Sequence, residues 1–159
     1  MASMAISFLG DGRGGIIYRA GLILTGIIGI PFCVYMGKSF DNEDTIEPIR
    51  KLALIGSILY CISLMFIGYF WGSNVVVSFI HGLSALLCWV DGLIFIGLFS
   101  VLMLKDKRFP KSIAFFGFII AGTFLLHLIV LSSITQWIMT LSIMLWALII
   151  SSFMLYKQF

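Results

Sequence analysis

The chain has 159 residues, 61% of them apolar and 11% charged, whereas a soluble domain runs at roughly 45–50% and about 25%. Ten basic and seven acidic side chains cannot cover a water-facing surface of this size, and the mean hydropathy of +1.14 agrees. These figures exclude a soluble enzyme, a secreted disulfide scaffold, a nucleic-acid module and a disordered linker; they leave an integral membrane protein built as one all-α domain.

In chain order, the first residues lack the basic region and long apolar run of a secretory signal and are expected to form a short arm. A membrane-crossing helix needs about 20 mostly apolar residues, and five stretches meet that length: about 16–36, 52–71, 75–104, 112–131 and 135–156. Strands are not expected, because these runs are too long and do not alternate with period two. Gly26 and Gly29 precede Pro31 in the first span, which predicts a kink there. Residues 37–51 hold seven charges and Pro48, the pattern of a water-exposed loop. Within it Asp41, Glu43 and Asp44 read as a solvated face, and Asp44-Thr45-x-Glu47 as a cap for the second helix. Trp71-Gly72-Ser73-Asn74 predicts a tight turn, Lys105 to Lys111 a charged turn with Pro110 starting the next helix, and Ser132-Ser133 a short turn. Short connections make consecutive helices antiparallel neighbours. Small residues at Gly92 and Gly97, and at Gly117, Ala121 and Gly122, mark faces where helices can approach closely.

Charge placement gives an expected orientation. Arg13 and Arg19 lie on one side; Lys38, Arg50, Lys51, Lys105, Lys107, Arg108, Lys111 and Lys157 lie on the other. The basic side belongs in the cytoplasm, so the sequence predicts a multi-pass protein of the cell membrane with its N-terminus outside and its C-terminus inside. Cys33, Cys61 and Cys88 sit inside apolar runs without C-x-x-C spacing and read as buried free thiols.

Ionisable groups inside a span cost about 2.5–3.5 kcal/mol on insertion scales and so point to function. Asp91 lies near the middle of the third span. His81 and His127 lie on the third and fourth spans at similar outer depth. Together with Asp11 and Arg19 at the mouth, they form a candidate polar site able to relay protons or hold a polar head group. Structural hydrogen bonds to Ser57, Ser63, Ser84 or Thr123 are the alternative role for these groups. No metal site and no cofactor are expected, since neither H-x-x-x-H nor E-x-x-H spacing occurs. The glycine-rich run Gly10 to Gly15 lacks the strand and lysine of a phosphate loop and reads as an interfacial turn, with Asp11 and Arg13 paired to each other or to Arg19.

The stretch Ile6-Ser7-Phe8-Leu9-Gly10-Asp11-Gly12, followed by Ile16 to Gly26, resembles the opening motif of a DRAM-related family of small polytopic prokaryotic membrane proteins, mostly of unknown function. His81-Gly82-Leu83-Ser84-Ala85 is similar to a later helix start of that family. The family usually has six helices, against the five expected here. The resemblance implies a membrane scaffold or lipid-associated role and no established enzymatic activity.

The leading expectation is a non-enzymatic accessory or scaffold subunit that packs against other membrane proteins or its own copies. A small proton-coupled carrier using Asp91, His81 and His127 is the second, and a membrane enzyme acting on lipids is the third. The partners expected are the bilayer and other membrane subunits, not nucleic acid.

Overall fold

Helices account for nearly all of residues 6–40 and 46–157, which the computed structural model of the chain describes. A short 3-10 helix, η1 (Ile6–Gly10), precedes α1 (Gly15–Ser39), α2 (Glu47–Tyr69), α3 (Val75–Lys105), α4 (Lys111–Val130) and α5 (Ser133–Lys157). All five α-helices are long and apolar enough to cross a membrane, and no strand occurs among the described residues. Even the 20 residues of α4 reach about 30 Å at 1.5 Å per residue, the thickness of a hydrocarbon core.

The helices begin and end close to the predicted spans, with one clear difference. α2 starts at Glu47, inside the segment that the charges mark as a loop. Apolarity reports only the part of a helix that lies in lipid; the backbone continues as a helix where its first turn is stabilised otherwise. Here Pro48 pre-sets the first turn, and Glu47 pairs with Arg50 at 2.7 Å and Lys51 at 3.3 Å while complementing the helix dipole. The expected Asp44 cap and the acidic run before it lie outside the described residues. Ile46 takes the N-cap position and contributes no side-chain bond. α1 runs as one helix through Pro31, where the sequence predicts a kink, with the proline exposed. Asn74 caps α3 by accepting the Val76 N–H at 2.9 Å. α4 ends on Leu131, which adopts φ 49° and donates its N–H to the His127 carbonyl.

Each helix packs on the next in sequence, but α1 and α5 approach nowhere within 8 Å between Cα atoms among the described residues. They face each other across an open groove, so the bundle is an incomplete ring with a seam. Glycines set the tightest contacts: a Cβ at Gly26 would lie 2.5 Å from the Cys61 carbonyl, and one at Gly68 would lie 2.7 Å from that of Arg19. Gly92 packs against Phe124 and Gly117 against Ser100. Gly122, expected to add to the Gly117 and Ala121 face, looks onto open space instead, and so does Gly97. The 3.6-residue period places them on the far sides of their helices.

One end of the bundle, here the basic end, is filled. Phe40 stacks on Phe109 at 5.0 Å, Phe109 meets Phe153 at 5.2 Å, and Met103, Ile150 and Met154 close the space around them. The last carbonyls of α1 are satisfied by guanidinium groups from elsewhere, as a helix C-terminus requires. Arg50 donates to the Gly37 carbonyl and Arg108 to that of Ser39. Arg108 also grips the buried carboxylate of Asp106 at 2.6 Å. That hydrogen bond raises the guanidinium pKa further above its ordinary value.

Candidate functional site

The opposite end, which carries η1, is built from hydrogen bonds around Trp71. Its indole N–H donates to Asp11 Oδ1 at 2.7 Å. The indole ring stands edge-on to His81 at 4.7 Å and to Tyr18 at 6.2 Å. His81 Nδ1 lies 3.1 Å from the Phe70 carbonyl. A carbonyl only accepts, so Nδ1 carries the proton and Nε2 is the acceptor of the neutral ring. η1 crosses this end as a strap, with the Ile6 N–H donating to Gln136 Oε1 of α5 at 3.2 Å. Asp11 and Arg19, expected together at one mouth, are not paired. Asp11 serves Trp71, and Arg19 donates to the Gly15 carbonyl of its own helix.

His127 is 3% exposed and sits in the last turn of α4. Its Nδ1 lies 2.8 Å from Thr135 Oγ1, which in turn lies 2.9 Å from the Ser132 carbonyl. Trp89 stands edge-on to it at 4.5 Å. Nε2 is buried without a partner. If the Thr135 proton goes to Ser132, Nδ1 donates and Nε2 is a bare acceptor; if it goes to His127, Nε2 carries an unused N–H. Either arrangement leaves one imidazole nitrogen unsatisfied. The expected hydroxyl partners do not supply it: Ser57, Ser84 and Thr123 donate to carbonyls of their own helices, and Ser63 makes no bond to the ring. Thr135 reaches His127 because the left-handed turn at Leu131 folds α5 back immediately.

Asp91 is part-exposed on α3, with no hydrogen bond or ion pair among the described residues. Leu83, Leu87 and Ile94 flank it at helical spacing, each between 39% and 47% exposed. The acid therefore lies in an apolar stripe on the outside of the ring, near the middle of the 31-residue α3.

The three candidate residues are thus in three surroundings. No hydrogen bond, ion pair or ring contact joins any two of His81, Asp91 and His127. His81 lines a cavity of about 130 Å³ at the η1 end, with Tyr18, Cys88, Trp89, Gln136 and Thr140; Asp91 and His127 do not line it. Cys33 and Cys61, both buried free thiols, line one cavity deeper in the ring. Among the described residues no group of three or more His, Cys, Asp or Glu side chains is placed to hold a metal ion. No family model, no curated protein and no solved structure matches the chain.

Proposed function

We propose that this chain is a non-enzymatic subunit of the cell membrane that acts by packing against other membrane proteins, in a larger complex or as a homo-oligomer. The observation that supports it is Asp91, a carboxyl group on the lipid-facing side of α3 with no partner of its own. Leaving it in hydrocarbon costs about 2.5–3.5 kcal/mol on insertion scales. A hydrogen-bond donor from a neighbouring subunit recovers about 0.6–2 kcal/mol of that. Gly97 on the same helix adds a spot bare enough for close approach.

In this reading the basic end faces the cytoplasm, because eight of the ten basic residues lie on that side, and η1 faces outward. The short-motif likeness to the DRAM-related family belongs to the same proposal, as a scaffold role. A proton-coupled carrier needs Asp91, His81 and His127 on one path, and their separate surroundings favour assembly instead.

The test is extraction of the tagged full chain from its native membrane in mild detergent, followed by native mass spectrometry. The expected particle is heavier than the 17.7 kDa chain. Asp91→Leu should return it to a single chain, while Asp91→Asn, which still hydrogen-bonds, should retain part of the assembly. A monomeric wild type, or an assembly indifferent to Asp91→Leu, would overturn the proposal.

A further inference from the structure

We infer that the interior of the ring is a binding site for a neutral, single-chain amphiphile admitted sideways from the bilayer through the α1–α5 seam. This does not rest on the role proposed for Asp91.

Three spaces adjoin one another. The chamber at the η1 end shares Tyr60, Leu64 and Ile143 with a central cavity of about 160 Å³. That cavity shares Thr25, Gly29, Phe32, Met144 and Ala147 with the seam groove, of about 500 Å³. Along α5 the combined wall runs from Gln136 to Ser151, about 22 Å at 1.5 Å per residue. That is longer than half a hydrocarbon core of about 30 Å, so the space accommodates a lipid tail lengthwise.

Polarity is sorted along this path. In the seam, the hydroxyls of Thr25 and Ser151 donate to carbonyls of their own helices at 2.7 Å and are withdrawn from the groove. At the η1 end, Thr140 lines the chamber with no such bond. Tyr18, His81 and Gln136 line it too. Among the described residues no Asp, Glu, Lys or Arg side chain lines any of the three spaces. An uncharged head with hydroxyl or ester groups suits one end, and a hydrocarbon chain suits the other, the usual division of a ligand pocket.

A transmembrane helix, about 10–12 Å across, could cover the groove from outside but could not enter the central cavity of about 160 Å³. A single chain can follow the whole path from the groove to the chamber at the η1 end.

The probe is a photoreactive monoacylglycerol with the reactive group on its chain, added to the full-length protein in phosphatidylcholine vesicles. Adducts are expected on residues 24–32 and 144–151. Excess unlabelled monoacylglycerol should compete, and the corresponding anionic fatty acid should compete less well. Ala147→Phe, which fills the seam, should cut labelling about tenfold. Thr140→Val, which deletes one free hydroxyl, should weaken competition about five- to tenfold, the worth of one hydrogen bond. Asp91→Leu should leave labelling unchanged. Adducts spread evenly over lipid-facing residues such as Leu83 and Ile119, or labelling indifferent to Ala147→Phe, would overturn the inference. Where Ala147→Phe does not fold, an unaltered competition curve for Thr140→Val overturns it alone.

Discussion

At the basic end, four phenylalanine rings, two methionines and two guanidinium groups pack together among the described residues. At the η1 end, aromatic rings meet edge-on, single hydrogen bonds bridge distant segments, and a cavity remains beneath them. Both ends close the same five helices, yet only the first does so by filling space. The contrast teaches that the two ends of one bundle are closed by different means: ring packing at the basic end, and hydrogen bonds over a remaining cavity at the other.

The largest expected break in that comparison is Phe99→Ala. Phe99 is fully buried and packs between Phe40 at 5.9 Å and Phe95 at 6.4 Å. Its removal should cost about 3–5 kcal/mol, read from unfolding in detergent. Ile143→Ala, which only widens space already present, should cost about 1 kcal/mol; equal losses at the two sites would erase the distinction. The Arg108–Asp106 pair should respond asymmetrically. Arg108→Ala takes the guanidinium away from a carboxylate whose side chain is 6% exposed and leaves it the backbone N–H of residue 108 at 2.9 Å, while Asp106→Ala leaves a guanidinium that is 45% exposed and can reach water. The first should cost about 2–3 kcal/mol, below the figure for a fully buried pair because Arg108 is partly screened. The second should cost about 1 kcal/mol. A reversed order in thermal unfolding would show that the tie is not held by the buried acid. Thr135→Val should cost a similar amount, about 1 kcal/mol, by leaving His127 Nδ1 unpaired beside an already unpaired Nε2. Imidazole NMR would report it as a change of tautomer at His127 without a change at His81.

Much of the architecture is legible in the chain because lipid demands long apolar runs, and five such runs produced five helices. The start of α2 is not legible in the same way, since Glu47 and Pro48 stabilise a first turn that lies outside the apolar signal. Asp91 declares itself by charge, but its direction does not follow from the sequence. α3 is apolar around its whole circumference, so no polar stripe tells the packed side from the exposed one. The His127–Thr135 bond was hidden for another reason. It depends on a left-handed backbone at Leu131, a conformation for which leucine gives no hint. Tyr60, Gln136 and Thr140 carry no distinct signal in the sequence, because a hydroxyl or amide in a span indicates packing as readily as binding.

The strap between Ile6 and Gln136 joins residues 130 positions apart. In synthesis from the N-terminus, Ile6 must wait for the last helix to be inserted before its amide finds that partner. Until then the hollow half has neither its fifth wall nor its roof. A growing chain therefore completes this end last, when Gln136 of α5 meets the Ile6 amide.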